Sequence, residues 1–411
     1  MFTVIVLALI AAMAAVQDPQ TPVFRSGTQI VEIDVRVFDR SGRFVADLTR
    51  DDFEVLEDGR PQRIETFFLV RESAAGPAPR PATPEPPPPP GSAPAAPAAR
   101  QTWIFFFDLN HLTPGGGFDR AKKAVEEFIR DRFREGDVAG ILAGDRMVNN
   151  RLTSVRQELL DGLKQVQPRA DARNRWAELT RDWPRLLNEE EAVRIARNEK
   201  EAIQRAVIRA CSDDSEQCQQ AESMVRSKAA RLQRDIHRAS MDTMAAINTL
   251  ANGLARIPGP KTVVFLSDGF PVQDVETTLR SVVGQTARAG ARVYAIDVRG
   301  LGRVGAPDPG QVAAEDTAGP ATKFDAVADA PNSLAVDTGG LMIRNENNIG
   351  RALDTIAADA NSYYVLGVQP ENTNWDGRFR TIEVRVKRDG VRVRARKGYL
   401  ALEPARMVVP K

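Results

Sequence analysis

The chain has 411 residues, 42% of them hydrophobic and 27% charged, with 56 Lys and Arg against 55 Asp and Glu and a formal net charge of +1. That length allows roughly two to three domains of ordinary globular composition, and near-neutrality argues against a broad nucleic-acid footprint. With two histidines and two cysteines, a Cys/His zinc cluster of the usual kind is excluded, and histidine chemistry is confined to His111 and His237.

The opening residues, MFTVIVLALIAAMAAVQDPQ, carry an apolar run over 4–16 that is shorter than a membrane span. Ala12-Met13-Ala14 forms a small-x-small cleavage pattern, and Pro19 follows. This predicts a signal peptide over 1–16 and an exported protein, periplasmic or extracellular. The lack of Lys or Arg at the start leaves an uncleaved anchor or a buried helix as the other readings. No later stretch is apolar enough to cross a bilayer.

Residues 28–38 alternate, with Val31, Ile33, Val35 and Val37 on one face and Glu32, Asp34 and Arg36 on the other, as in a half-buried strand. Thr49 to Asp52 resembles a helix-capping turn. Strand candidates at 53–57 and 61–69 meet at Asp58-Gly59, a hairpin dipeptide, so 23–70 reads as a small β module. Residues 71–100 hold eleven of the 27 prolines and predict an extended linker without a core.

From 101 the chain alternates strand and helix. TWIFFFD (102–108), VAGILAG (138–144), KTVVFLS (261–267), RVYAIDV (292–298) and SYYVLGV (362–368) are strands; 118–133, 154–166, 275–290 and 349–360 are amphipathic helices. This predicts an α/β domain over 101–368, a doubly wound, mostly parallel sheet of Rossmann-like type.

The rhythm breaks at 171–256, which is helical throughout in pattern. Ala221, Val225, Ala229, Leu232, Ile236, Ala239, Thr243, Ala246, Leu250 and Leu254 make one apolar stripe, and a shorter helix is expected at about 184–210. Together they predict a helical-hairpin insertion over 171–240. Cys211 and Cys218 bracket its turn; in an exported protein they would form a disulfide, and two free thiols is the other reading. At 378–400, Ile382, Val384 and Val386 run to Asp389-Gly390, and Val391, Val393 and Ala395 run back against Arg392, Arg394 and Arg396. This predicts a hairpin with one basic, solvated face. A lone hairpin is marginal, so the two ends of the chain are expected to form a small β-sandwich.

Two of the buried strands end on carboxylates, at Asp108 and Asp268. If the strands are neighbours, both acids lie on one rim and need a cation, a proton or donors. Thr243 offers a hydroxyl from the stripe expected to face the domain. A strand ending Asp-x-Asn-x-Leu, a later helix threonine and a strand ending Asp-Gly resemble the metal-ion-dependent adhesion site of von Willebrand factor type A (VWA) domains. FFDLNHL, FDRAKKAVEEFI, EGDVAGIL, ARIPGPKTVVFLSDGFP, the Thr338-Gly339-Gly340 triplet and the C-terminal strands together resemble the bacterial exported VWFA-related family. The resemblance implies metal ligands at Asp108, Asn110, Thr243 and Asp268, Mg²⁺ as the ion, and a non-enzymatic, adhesion-type module. Its partner would be another protein offering an acidic side chain. His111, Thr113 and Ser267 would lie at the contact surface. The site is degenerate, because Asn110 and Leu112 replace the two serines of the motif. Helix capping and loop N–H bonds are the alternative role for the two acids. An assembly role, with the hairpin making the contacts and the acidic rim binding no metal, is the alternative function.

Gly300, Gly302 and Gly305 spell G-x-G-x-x-G after the 292–298 strand. Pro307 and Pro309 follow where a dinucleotide site needs a helix, so no nucleotide is expected. His111 beside Asp108 invites an acid–base role, but no G-x-S-x-G or comparable element accompanies it.

Overall fold

Residues 30–71, 101–169, 177–272, 275–299 and 330–402 are described by a computed structural model. The signal segment 1–16, the linker beyond Arg71 and the glycine motif at 300–305 lie outside the described residues.

The N-terminal module supplies β1 (Val31–Phe38), β2 (Phe53–Glu57), β3 (Arg60–Gln62) and β4 (Ile64–Arg71). Thr49 and Asp52 close a capping box at the short turn before β2. The α/β part follows with β5 (Thr102–Phe107), α1 (Gly116–Asp131), β6 (Val138–Ala143), β7 (Arg146–Met147) and α2 (Arg156–Gln165). The insertion holds α3 (Glu189–Ala196), α4 (Lys200–Asp213) and the first part of α5 (Ala221–Leu254). The α/β part resumes with β8 (Lys261–Ser267), α6 (Glu276–Arg288), β9 (Ala291–Asp297), α7 (Ala330–Asp337), β10 (Met342–Ile343) and α8 (Ile349–Ala360). Then come β11 (Ser362–Val368), β12 (Phe379–Val386), β13 (Arg392–Ala395) and β14 (Gly398–Leu400).

The central sheet runs β10-β9-β8-β5-β6-β7. It is parallel except for β7, which turns back on β6. Alternate residues of β5 feed two cores. Trp103, Phe105 and Phe107 pack under α1, α2 and α8, and Ile104 and Phe106 pack under α5, α6 and α7. A strand covered on both faces carries no polar alternation, hence the unbroken TWIFFF. Gly340 passes so close to β9 that a Cβ would lie 1.9 Å from the Val293 carbonyl oxygen, so only glycine fits there.

SYYVLGV does not extend this sheet. β11 lies between β1 and β4 in an antiparallel sheet ordered β13-β1-β11-β4. A second antiparallel sheet runs β14-β12-β2-β3. Ile33, Val35, Val37, Phe53, Val55, Tyr364, Leu366, Val368 and Ile382 fill the space between the two. β11 is also covered on its other face, where Tyr363 is buried, so its pattern imitates that of a central parallel strand.

Nor do β12 and β13 pair as a hairpin. β12 pairs with β2 and β14, whereas β13 pairs with β1. The Asp389-Gly390 turn, with Gly390 at φ 74°, carries the chain from one sheet to the other. The arginines are not a solvated face either. Arg394 reaches the Asp359 carboxylate, Arg396 donates to the Ala287 carbonyl at 3.0 Å, and Arg392 stays exposed.

The charged face of β1 is an inner joint. Arg36, fully buried, donates from Nε to the Asp359 carbonyl and pairs with its carboxylate, both at 2.9 Å. Tyr294 donates to the same carboxylate at 2.6 Å; burial pushes that phenol well above its usual range. Arg36 and Arg292 lie over the Tyr363 ring, 4.9 and 4.4 Å from its centre.

In the insertion, the first helix breaks at Arg197–Glu199, where Asn198 takes φ 63°, giving α3 and α4. The 34 residues of α5 reach about 50 Å at 1.5 Å per residue. Its first half packs on α3 and α4 through Ala221, Val225, Ala229 and Leu232. Its second half packs on the α/β domain through Met244, Ile247, Leu250 and Leu254. Lys228 ties the 178–184 segment down by donating to the carbonyls of Asp182 and Pro184 at 2.7 and 2.9 Å. Cys211 and Cys218 form a disulfide.

Candidate functional site

β5 and β8 are adjacent and in register, Phe107 opposite Leu266, so both continue past the same carboxyl edge. Ligand crevices of open α/β sheets form at such edges. Asp108 and Asp268 are the next residues along this edge and the one after. The Asp108 N–H still bonds the Leu266 carbonyl at 3.0 Å. The chain then curls, with the N–H groups of His111 and Leu112 donating to the Asp108 carbonyl at 3.0 and 2.8 Å.

Asp108 has no exposed surface, and both its oxygens are hydrogen-bonded. Oδ1 accepts from the Thr243 hydroxyl at 2.8 Å. Oδ2 accepts from the Ser267 hydroxyl at 2.8 Å and lies 2.8 Å from His111 Nδ1. Thr243 Oγ1 in turn accepts from Asn110 Nδ2 at 3.0 Å, and the Asn110 amide oxygen accepts from Arg169 at 3.2 Å. His111 stacks on Phe270, ring centres 4.3 Å apart and 18° between planes, and its Nε2 lies 3.2 Å from Ser240 Oγ.

Asp268 is apart from this network and half-buried at the lip. Its Oδ2 accepts the Thr113 N–H at 2.7 Å. Burial pushes its pKa up to about 6, and the Thr113 bonds offset only part of that rise. Beside it, Arg299 forms a two-point pair with Asp297, at 2.6 and 2.8 Å. Gly117, in the first turn of α1, would place a Cβ 2.9 Å from the Val298 carbonyl oxygen, so this glycine lets the helix lie against the end of β9.

Of the residues singled out in the sequence, Asp108, Asn110, Thr243, Ser267 and His111 come together, and Asp268 joins Thr113 next to them. His111 and Ser267 are buried, not exposed contacts. Sequence reasoning missed Ser240, Phe270 and Arg169. Ser240 was legible as the residue one turn before Thr243 on the same helix face; Phe270 lies two residues beyond Asp268. Arg169 had no local signal.

Ser240, His111 and Asp108 follow the hydrogen-bond order of a hydrolytic triad. Ser240 has no exposed surface, however, and its hydroxyl donates to the Ile236 carbonyl one turn back at 2.9 Å. A nucleophile needs room for a carbonyl next to it, and here the space holds helix backbone. A cavity of about 560 Å³ opens instead in the insertion, lined by Ala177, Glu178, Asp182, Trp183, Lys228 and Arg231.

The residues as arranged do not fit a divalent ion. A hard cation needs several oxygens with lone pairs free toward one point. Both Asp108 oxygens already accept hydrogen bonds, Thr243 presents a donated proton to Asp108, Asn110 turns its nitrogen toward Thr243, and Leu112 has no oxygen to offer. Among the described residues, no group of three or more His, Cys, Asp or Glu is set to hold a metal.

No protein-family model matches the chain, and no curated protein matches it. Among solved structures, it is similar to an aerotolerance-related membrane protein from Bacteroides fragilis with multiple mutations to serines. That match has 14% identity and a TM-score of 0.32, over 64% of this chain and 100% of that one. It is also similar to the conserved hypothetical protein BatB from Bacteroides thetaiotaomicron, at 12% identity and a TM-score of 0.33, over 64% of this chain and 98% of that one. Likeness at this level carries no argument about fold or function. Among the described residues no helix is long and apolar enough to cross a membrane.

Proposed function

We propose that the chain is an exported, non-enzymatic binding protein of VWA-like build that meets another protein at the rim over the carboxyl ends of β5 and β8. One observation carries the reading. The register of β5 on β8 brings six polar side chains from three segments to one edge, where the buried ones brace a half-exposed lip at Thr113 and Asp268. A braced lip formed by strand-end loops is what a recognition surface needs, and Ser240 and His111 are buried beneath it. An acidic side chain from the partner would need a cation between it and Asp268. The Asp268 carboxylate better suits a partner hydroxyl, amide or basic group.

A second reading has its own observation. Ile208 on α4 is 69% exposed and Met224 on α5 is 42% exposed, so the insertion presents apolar side chains near its disulfide, as an assembly contact would. A photo-crosslinking residue at Thr113 and, separately, at Ile208 decides between them in cells that export the protein. A defined adduct from the Thr113 position that disappears with Asp268→Ala supports the rim. An adduct from the Ile208 position alone supports the insertion and ends the rim reading.

A further inference from the structure

At the centre of the disagreement between the implied ion and the observed donors stands the side chain of His111. We propose that its imidazole stands in for the divalent ion, compensating Asp108 from within the chain, so that the rim works without a metal. This deepens the rim reading by fixing the kind of contact it makes, and it is testable whether or not a partner binds there.

Three observations support it. First, His111 Nδ1 lies 2.8 Å from Asp108 Oδ2, within hydrogen-bond distance. Asp108 therefore has its compensating donor without an ion. Second, the ring is built in rather than resting there. Phe270 covers one face, and Ser240 meets Nε2 at 3.2 Å. Since Ser240 gives its proton to the Ile236 carbonyl, its lone pairs are what face Nε2. Both ring nitrogens are thus held within hydrogen-bond distance of oxygen, one on Asp108 and one on Ser240. Ser240 and Thr243 are three apart on α5, so one helix face holds the imidazole with one hydroxyl and the carboxylate with the other. Third, the remaining ligands have been turned to the same purpose. The Arg169 bond to the Asn110 oxygen orients the amide with its nitrogen on Thr243, and it places a fixed positive charge where an ion would need a neutral oxygen. Leu112, 1% exposed, fills the place of the second serine with hydrocarbon.

The experiment uses the full chain. Mn²⁺ is titrated by electron paramagnetic resonance and Mg²⁺ by calorimetry, and thermal melting is followed with EDTA or with millimolar Mg²⁺. Wild type is expected to leave the Mn²⁺ spectrum that of the free ion through the millimolar range, to give no Mg²⁺ heat, and to melt at one temperature in EDTA and in Mg²⁺. His111→Ala removes the internal donor. It is expected to melt lower, and Mg²⁺ is expected to restore part of that loss, because ion and imidazole compete for the same oxygen. If the alanine chain does not fold, His111→Asn takes its place in the same measurement. Mn²⁺ binding by wild type that Asp108→Asn abolishes overturns the proposal. So does a His111 variant as stable as wild type, or one whose melting Mg²⁺ leaves unchanged. Each of these results is independent of the Thr113 crosslink, so a failure here and a failure of the rim reading are told apart.

Discussion

The rim and the joint both bury charge, and they compensate it in opposite ways. At the rim a carboxylate is surrounded by hydroxyls and an imidazole, so that both oxygens of Asp108 are used. At the joint guanidinium groups outnumber the carboxylates. Asp359 holds Arg36 and Arg394, yet among the described residues Arg36 Nη1 and Nη2 and the three side-chain nitrogens of Arg292 have no hydrogen-bond partner. Among the described residues Arg292 faces the Asp34 carboxylate, at 3.5 Å, and the Tyr363 ring. The difference follows from position. A strand end opens into loops and a neighbouring helix, which can supply short polar groups. The middle of a strand face meets the packed surface of the opposing layer, and ring faces there take over part of the work.

The comparison breaks most sharply at Asp359. Asp359→Ala strips the carboxylate from buried Arg36, from half-buried Arg394 and from Tyr294, and is expected to cost about 3–5 kcal/mol by urea denaturation. Asp108→Ala leaves three donors without an acceptor, and about 2–3 kcal/mol is expected. Should the rim variant prove the costlier, the joint is not the more demanding burial and the ranking of the two regions fails.

A smaller effect sharpens the contrast at the lip. The folded-state pKa of Asp268 is raised to about 6 from an ordinary 3.8. Between those values the folded chain keeps a proton that the unfolded chain has released, so this group's contribution falls as pH rises through the window and stays low above it. Asp268→Asn cannot ionise. It is expected to melt ~2–4 °C higher than wild type at pH 8 and to match it at pH 4. An equal shift at both pH values would assign the effect to packing instead. The smallest expected effect is none. A fluorophosphonate probe should leave Ser240 unlabelled, and mass spectrometry showing an adduct there would reopen the hydrolytic reading.

Much of this was legible along the chain. Strand and helix periods located most of the α/β elements, the alternation at 31–37 marked the sandwich face of β1, and the two strand-terminal acids pointed to one rim. Other features depended on what lies opposite. His111 looks like a loop histidine until Phe270 and Ser240 close around it. SYYVLGV has the run of a strand covered on both faces, and its composition cannot say whether the cover is helices or a sandwich and a second domain.

The sequence by itself determined periodicity, turn positions and the order of elements, because backbone sterics and the burial of apolar side chains act over short stretches of chain. Only the tertiary structure decided the partners. Asp108 meets Thr243 across 135 positions and Arg36 meets Asp359 across 323. Whether a charge ends beside a hydroxyl, a ring or another charge is set by how the layers stack, which no local pattern records.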